Sequence, residues 1–413
     1  MLVTYYDSYN VLSKVYSEGA FIKQALNGTQ VEQRNRPAIT KICYGVLDKD
    51  ITLEYILSKF CAKKPKLSIK ILLKIGIYAI RYLNTAPHAV TDTLVSLCKK
   101  MGKGGVSGFV NAVLRNYIRN GIELPSGNSV KDLSIRFSCP EFIVKKIVNF
   151  YGLDTAINLL SYDKEDTFVR FKKSGEEYLK NLNLNYEKTP FEELYSVAGF
   201  KLNEDFYEGV YTFQSIGSVA ICSLLSGGKT LLDCCSAPGG KAVLLSSKYD
   251  SVTACDIHEH RVELIKSYAL RMGANNITAI LKDSTVFESE FENCFDGVLC
   301  DAPCSGTGVI KQNPDIKLNR TSNAIIELSL LQLEILNNVS RYVKKGGELV
   351  YSTCSILTDE NDGVIEKFLT KNKDFEVVKI NSQLPSLNTK FGLQFLPHIS
   401  MGAGFYACKL KRL

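Results

Sequence analysis

The sequence predicts a multidomain protein with an all-α first third, a small α+β segment and a final α/β domain built on a parallel sheet. Its 413 residues exceed what one hydrophobic core usually organises. The first 125 residues space their apolar side chains as helices do. From about residue 210, short apolar runs alternate with helical stretches, which predicts parallel strands covered by helices on both faces.

The first domain is predicted to be helical over residues 1–125. Its predicted helices cover residues 72–80, 89–99 and 109–118. The first of these is dense in apolar residues, as in the buried helix of a bundle. Pro87 is suited to a helix start, and the glycines within 102–105 interrupt the pattern. The run Leu124–Asn128, which contains Pro and Gly, predicts the domain boundary.

The second and third domains are predicted over residues 126–209 and 210–413. In the small α+β segment, we expect helices over 142–150 and 178–182 and a strand over 168–171. The strands expected in the last domain cover residues 230–234, 251–256, 277–281, 297–301 and 348–352, with two closing strands over 375–380 and 404–410.

Positive charge is concentrated in the first domain. The whole chain has a net charge of +7, but residues 1–125 hold 18 Lys and Arg against 8 Asp and Glu, a net +10. The remainder holds 32 against 35, a net −3. A basic module beside a nearly neutral one is suited to phosphate binding. A solvated, lysine-rich surface explains the same numbers, and both interpretations stay open.

Neither membrane insertion nor metal binding is expected from the sequence. No apolar run reaches the roughly 18 residues that span a bilayer, and the N-terminus lacks the pattern of a signal peptide, so we expect a cytoplasmic protein. The 13 cysteines include no Cys-x-x-Cys pair, which argues against a zinc knuckle, and disulfides are rare in that compartment. His258 and His260 are expected to be surface residues.

Four aspartates, Asp233, Asp256, Asp283 and Asp301, fall at or just beyond the ends of predicted strands. In parallel sheets, ligands bind at that edge. A glycine-containing turn follows the first strand, and its predicted cofactor-binding residues are Cys235, Ser236, Ala237, Pro238, Gly239, Gly240 and Lys241. Asp256 is placed to accept hydrogen bonds from ribose hydroxyls, and Asp283 to meet an adenine amino group. Asp301 is also expected to be a cofactor-binding residue. The absence of G-x-G-x-x-G favours an adenosine-bearing methyl donor over a dinucleotide.

Two cysteine motifs follow the fourth and fifth strands of this domain. They are Asp301-Ala302-Pro303-Cys304-Ser305-Gly306 and Ser352-Thr353-Cys354-Ser355. Because these strands are neighbours in a doubly wound sheet, Cys304 and Cys354 are expected to face one pocket, where a thiolate would be a strong nucleophile. The remaining cysteines that we interpret as small buried hydrophobes are Cys43, Cys61, Cys98, Cys222, Cys294 and Cys408.

These motifs resemble the RNA cytosine carbon-5 methyltransferases of the RsmB (Sun or Fmu) and NOL/NOP/Sun family. The first domain resembles the NusB RNA-binding domain over the runs 73–78, 86–90 and 109–115. The resemblance implies a NusB-like domain, a linking RNA-binding domain and a Rossmann-like class I methyltransferase domain. It also implies S-adenosylmethionine as donor, 16S ribosomal RNA as partner, and a monomer without metal.

The resemblance further implies a division of roles among three residues. Cys354 would add to carbon 6 of a cytosine, which makes carbon 5 able to accept a methyl group. Asp301 would hold the base edge near ring nitrogen 3, and Cys304 would help release the product. The target base must be unstacked or single-stranded. Two alternatives remain: the same chemistry on transfer RNA, and a non-catalytic RNA-binding or assembly protein.

Three segments depart from the family pattern. The family usually has Gln-Asp where Gln214-Ser215 stands, and Asp-Gly-Phe where Ala403-Gly404-Phe405 stands. The run Lys311–Asp315 replaces a more basic one. These departures concern contacts around the donor loop and the two cysteines, which are themselves intact.

Overall fold

The computed structural model describes residues 1–164 and 167–413, which form two compact units. The first unit comprises Met1–Ser161 together with Ile310–Arg320. The second comprises Tyr162–Val309 and Thr321–Leu413. The three domains predicted from the sequence, with boundaries at 125/126 and 209/210, stay a prediction.

The first unit is built from helices, and its buried apolar residues between Tyr5 and Tyr117 form one core. Its helices are α1 (Leu2–Glu18), α2 (Ile22–Asn27), α3 (Arg36–Asp48), α4 (Asp50–Phe60), α5 (Leu67–Tyr82), α6 (Pro87–Lys100), α7 (Ser107–Asn120), α8 (Val130–Phe137), α9 (Glu141–Tyr151) and α10 (Leu153–Ser161). As predicted, α5 is the buried helix, with a continuous inaccessible stretch from Ile71 to Ala79. A side chain at Gly76 would collide with Leu94 of α6, at 2.5 Å, so glycine allows the two helices to pack closely.

The second unit contains a small antiparallel sheet and a large mixed sheet. The small sheet has the order β2-β3-β1-β4. Its strands are β1 (Phe168–Phe171), β2 (Tyr186–Lys188), β3 (Leu194–Val197) and β4 (Tyr211–Phe213), with α11 (Gly175–Asn181) and α12 (Glu204–Tyr207) between them. The strand predicted over 168–171 is therefore confirmed, and it pairs antiparallel with both β3 and β4.

The large sheet has the order β11-β12-β13-β9-β8-β5-β6-β7, and β10 also pairs with β13. Its strands are β5 (Gly228–Asp233), β6 (Tyr249–Asp256), β7 (Ile277–Leu281), β8 (Phe295–Asp301), β9 (Val343–Thr353), β10 (Phe375–Val378), β11 (Leu387–Asn388), β12 (Leu393–Phe395) and β13 (Phe405–Arg412). Its helices are α13 (Ile216–Ser223), α14 (Gly240–Leu245), α15 (Glu259–Met272), α17 (Ser322–Ser340) and α18 (Asp362–Lys371), whereas α16 (Ile316–Asn319) belongs to the first unit.

The predicted parallel strands form the centre of this sheet. Parallel pairing joins β7, β6, β5, β8 and β9, and the closing strand β13 pairs antiparallel with β9. The strand order reverses at β5, which lies between β6 and β8. Such a reversal opens a crevice beyond the carboxyl ends of the strands, which is where ligands bind in this kind of sheet.

Residues Ile310–Arg320 carry a buried lysine into the helical unit. The Lys317 ammonium donates to the Asp48 carboxylate at 2.6 Å and to the Asp48 carbonyl oxygen at 2.8 Å. Burial acts to raise the pKa of Asp48, but the charges of Lys317, Lys49 and Lys311 outweigh it and hold that pKa well below its usual value. Lys311, which lies in the segment that departs from the family pattern, is 3.9 Å from the Asp48 carboxylate and adds to this ion cluster.

Within the described ranges 1–164 and 167–413, no helix combines the length and apolar character needed to cross a bilayer.

We expect Lys317→Met to lower the free energy of unfolding by about 2 kcal/mol. Removing one partner of a buried ion pair typically costs somewhat more, but Lys49 still lies 2.7 Å from the Asp48 carboxylate and compensates part of its charge. Lys23→Met, at an exposed position of α2, should change stability by less than about 0.5 kcal/mol. Chemical denaturation measures both, and equal stability of the two variants would contradict the role of the ion pair.

Candidate functional site

The central feature of the crevice is a buried carboxylate without a partner. Asp233 ends β5 and is 1% exposed, and neither of its carboxylate oxygens accepts a hydrogen bond. Burial raises the pKa of Asp233 to about 7, although the nearby Ser236 hydroxyl and Lys241 oppose this shift. A buried carboxylate normally has compensating donors. A cationic or hydrogen-bond-donating ligand would supply what the protein itself does not.

The turn after β5 brings its backbone close to the same crevice. The Ser236 amide donates to the Cys255 carbonyl oxygen at 2.8 Å, and the Ser236 hydroxyl is buried without a partner. The Ala237–Pro238 peptide is cis. Gly239 has a φ of 102°, and a side chain there would lie 3.2 Å from the Cα atom of Ile265. Only glycine combines this backbone conformation with so close an approach to α15.

The predicted adenosine-binding acids lie at or just beyond the ends of two neighbouring strands, at the same edge of the sheet. Asp256 ends β6, is 6% exposed and accepts a hydrogen bond from the His258 amide at 3.1 Å. Asp283 lies two residues beyond β7, and its carboxylate accepts hydrogen bonds from the Thr285 amide and hydroxyl. These three local hydrogen bonds fix the orientations of the two carboxylates relative to the strand ends.

Asp301 is held by two partners, one on helix α14 and one on strand β9. One carboxylate oxygen pairs with the Lys241 ammonium at 2.6 Å, and the other accepts from the Ser352 hydroxyl at 2.7 Å. The ion pair raises the pKa of Lys241 despite burial, which acts to lower it. Lys241, predicted among the donor-loop residues, thus reaches across to the end of β8 and fixes Asp301.

The two motif cysteines face one another, as their motifs predicted. The Cys304 and Cys354 Sγ atoms are 3.0 Å apart, and the Cys354 amide donates to the Cys304 sulfur at 3.2 Å. The hydrogen bond with Cys354 and burial raise the pKa of Cys304 well above its usual value, and the Glu360 charge adds to this rise. The pair lies where β8 and β9 end, with Asp301 opposite Ser352 in the ladder.

A second buried carboxylate, Glu360, joins the loops that carry these cysteines. Its Oε1 accepts hydrogen bonds from the Ser305 amide at 2.7 Å and the Gln332 side-chain amide at 3.0 Å. Its Oε2 accepts from the Ser305 hydroxyl at 2.5 Å and the Ser355 hydroxyl at 2.6 Å. Sequence reasoning missed this residue because no local motif distinguishes it from its neighbour Asp359 in a polar turn.

Sequence reasoning also left Asp233 out of the cofactor-binding residues, although it begins the glycine-containing motif. Its position at the first strand end was visible in the sequence. Its complete burial and lack of partners were not, because they depend on residues from several strands.

The other cysteines agree only in part with their interpretation as buried hydrophobes. Cys43, Cys98, Cys222 and Cys408 are buried. Cys61 is half-buried, and the prediction is wrong for Cys294, which is exposed in the turn before β8. No group of three or more metal-ligating side chains is found in the described part of the chain.

The departure at Ser215 has a local explanation. Ser215 caps α13, and its hydroxyl accepts a hydrogen bond from the Ser218 amide at 3.2 Å, a role that serine and aspartate share.

Gln214 joins the small sheet to the donor loop: it accepts from Arg170 at 2.6 Å and donates to the Gly240 carbonyl oxygen at 3.0 Å.

The departure at Ala403 leaves a close backbone contact intact. A side chain built on Gly404 would come within 2.1 Å of the Gly308 carbonyl oxygen, and one on Gly308 within 1.9 Å of the Gly404 carbonyl oxygen. Ala403 itself is 3% exposed, so a small apolar residue fits its position. The two glycines allow the segment before β13 to pack directly on the loop that carries Cys304.

The parallel strand order, the acid-lined crevice and the glycine turn define the class: this is an S-adenosylmethionine-dependent methyltransferase fold. Comparison with known families makes the assignment more specific. The model of the family described as 16S rRNA methyltransferase RsmB/F matches residues 223–411, and that of the NusB family matches residues 8–119. The chain belongs to the ribosomal RNA small subunit methyltransferase B family.

Individual relatives resemble the chain over nearly its whole length. "Probable ribosomal RNA small subunit methyltransferase B" of Bacillus subtilis (strain 168) is 34% identical, over 95% of this chain and 94% of its own. "Ribosomal RNA small subunit methyltransferase B" of Photorhabdus laumondii is 30% identical, over 97% and 96%. The crystal structure of PH0851 superposes with a TM-score of 0.83 at 21% identity, covering 100% of this chain and 99% of that one. The predicted all-α, α+β and α/β fold classes are confirmed.

We expect Asp233→Asn to stabilise the ligand-free protein more at pH 8 than at pH 5. The raised pKa means that the folded protein holds the proton more tightly than the unfolded chain, so stability falls as the pH rises from 3.8 to about 7. The asparagine variant lacks this loss, so its advantage should be about 3 kcal/mol larger at pH 8 than at pH 5.

Chemical denaturation at the two pH values measures this difference. The cost of burying the asparagine amide is nearly the same at both pH values, so it largely cancels. Asp250→Asn, at an exposed position of β6, serves as the control and should show no pH-dependent gain. An equal gain for Asp233→Asn at both pH values would show that Asp233 does not titrate near neutrality.

Proposed function

We propose that the protein transfers a methyl group from S-adenosylmethionine to carbon 5 of a cytosine in 16S ribosomal RNA, through a covalent bond to Cys354. The observation that carries the proposal is the pair of facing thiols, 3.0 Å apart, at the end of the strand that presents Asp301. A methyltransferase acting on an exocyclic amine needs no nucleophilic cysteine. Carbon 5 of cytosine is a poor nucleophile, and it becomes reactive only when a group such as a thiolate adds to carbon 6.

The donor would be held by the edge of the sheet. When bound, S-adenosylmethionine supplies an electrophilic methyl group on a sulfonium ion. We assign its ribose to Asp256, its adenine to Asp283, and its methionine portion to the turn 235–241. The unpartnered Asp233 carboxylate and Ser236 hydroxyl fit such a ligand, because the donor carries both a positive charge and hydrogen-bond donors.

Asp301 is assigned to binding the target cytosine. Its carboxylate is already oriented by Lys241 and Ser352, so little reorganisation is needed when it meets the edge of a cytosine. Cys354 acts as the nucleophile and Cys304 assists release of the methylated base. The proton on carbon 5 must leave before the bond to Cys354 breaks.

The remainder of the chain is assigned to RNA binding. Residues 1–125 carry a net charge of +10 and include the segment similar to the NusB family, and both properties favour phosphate contacts. Residues 126–209 would link this domain to the catalytic domain, residues 210–413, and add further RNA contacts. We propose that the enzyme acts as a cytoplasmic monomer without a metal ion.

We predict that Cys354→Ala abolishes methylation, whereas Cys304→Ala traps a covalent complex with RNA. Without Cys354, carbon 6 has no nucleophile; without Cys304, the bond to Cys354 forms but is not broken efficiently. Labelled donor, 16S rRNA and denaturing gels measure both outcomes, and bisulfite sequencing identifies the base. Cys294→Ala, at the exposed cysteine, should retain activity.

Normal turnover by Cys354→Ala would contradict the assigned nucleophile. Transfer to transfer RNA but not to 16S rRNA would identify a different substrate for the same chemistry. Failure of the wild-type protein to bind the donor would favour a non-catalytic RNA-binding role.

A further inference from the structure

Glu360 is a fully buried acid that the proposed reaction does not use directly. It is 0% exposed and ends the short helical turn Thr358–Glu360, just before α18. A buried carboxylate is stable only where several donors surround it. Its partners therefore indicate which parts of the fold it holds together.

Those partners lie on both cysteine loops. One bonded serine, Ser305, directly follows Cys304, and the other, Ser355, directly follows Cys354. Ser305 bonds to both carboxylate oxygens: its amide donates to Oε1, and its hydroxyl donates to Oε2. One side chain thus connects two segments that are 50 residues apart in the chain.

The connection is rigid because the surrounding groups are also fixed. Gln332 donates both to Glu360 and to the Pro303 carbonyl oxygen at 2.9 Å, so it holds the residue before Cys304. The Tyr351 hydroxyl donates to the Glu360 carbonyl oxygen at 2.6 Å, which ties the turn to β9. The carboxylate cannot move without breaking bonds on both loops.

We propose that Glu360 is a positioning residue that sets the distance and orientation between the thiols of Cys304 and Cys354. The effect of Glu360 on catalysis rests on the proposed two-cysteine reaction. Its effect on the distance between the thiols does not depend on that reaction. Glu360 acts through the serines that follow each cysteine. Displacements of about 1 Å can reduce the rate of an oriented reaction roughly 100-fold, so this bridge has a measurable effect.

Three substitutions separate geometry from charge. Glu360→Ala removes the bridge, and Glu360→Asp shortens it by one methylene group, so that both loops cannot be held at their present separation. Glu360→Gln keeps the length: its oxygen can accept from the Ser305 amide, and its amide can donate to the serine hydroxyls. The glutamine variant therefore preserves the bridge and removes only the negative charge.

Asp362 offers a matched control two residues away. Its carboxylate accepts hydrogen bonds from the Tyr406 hydroxyl at 2.6 Å, the Thr389 hydroxyl at 2.9 Å and the Lys390 amide at 2.9 Å. With a fourth bond from the Phe391 amide at 3.3 Å, it accepts as many hydrogen bonds as Glu360, but none of them comes from a cysteine loop. Asp362→Ala should lower stability without altering the thiol pair.

The first experiment measures thiol geometry without RNA or donor. Dibromobimane joins two thiols that lie close together, and mass spectrometry identifies the Cys304–Cys354 cross-linked peptide. We expect cross-linking in wild type, Glu360→Gln and Asp362→Ala, and a loss of at least about tenfold in Glu360→Ala and Glu360→Asp, in protein shown to be folded by circular dichroism. Wild-type cross-linking in Glu360→Ala, or an equal loss in Asp362→Ala, would overturn the proposal.

The charge is tested by alkylation of Cys304 across a range of pH. The negative charge of Glu360 contributes to the raised pKa of Cys304, so Glu360→Gln should move the midpoint of alkylation to lower pH. A purely structural acid would produce no such shift in a variant that keeps its fold and its cross-linking. An unchanged midpoint would contradict the electrostatic part of the inference.

The last experiment measures the reaction itself under single-turnover conditions with labelled donor and 16S rRNA. Glu360→Asp should lower the maximal rate roughly 100-fold, while the concentrations of donor and RNA that give half of that rate stay close to those of wild type, and Glu360→Gln should recover most of the rate. If wild type transfers no methyl group to cytosine, the proposed function fails, whereas the cross-linking result still decides the role of Glu360. An unaltered rate in Glu360→Asp would overturn the catalytic consequence.

Discussion

The parallel pairing of β8 with β9 is the constraint on which the site depends. Asp301 stands opposite Ser352 in this ladder, so the two motif loops leave adjacent strands at the same edge. Side chains alternate along a strand, and a slip of one residue would turn one partner to the opposite face. The present register allows the hydrogen bond between the Ser352 hydroxyl and Asp301, and it brings the sulfurs of Cys304 and Cys354 within 3.0 Å.

Three acids near this edge differ in how the fold compensates their charge. Asp301 has a cationic partner in Lys241, and Glu360 has a set of neutral donors. Asp233 has no hydrogen-bond partner, and its pKa is raised to about 7 as a result of burial. Burial of the ionised Asp233 side chain lowers stability at neutral pH, and a ligand with a positive charge or hydrogen-bond donors would offset this cost.

The sequence predicted the features whose signals are local. The parallel strands ended where their acids and glycines indicated, and the cysteine motifs implied neighbouring loops. Features that depend on distant residues were not predictable in this way. Lys317 meets Asp48 across 269 positions, and nothing near Glu360 distinguishes it from the adjacent Asp359. Short strands such as β11, with two residues, also carry too little periodicity to be recognised.

The surroundings of Cys304 determine how readily its thiol loses a proton. Cys304 lies near the Glu360 charge, and the hydrogen bond with Cys354, burial and that charge all disfavour its ionised form. With a raised pKa, Cys304 keeps its proton at neutral pH, and its sulfur lies 3.0 Å from that of Cys354. In the proposed two-cysteine reaction, this proton is available to the sulfur that has to leave carbon 6. The carboxylate that joins the two loops thus also helps to keep Cys304 protonated.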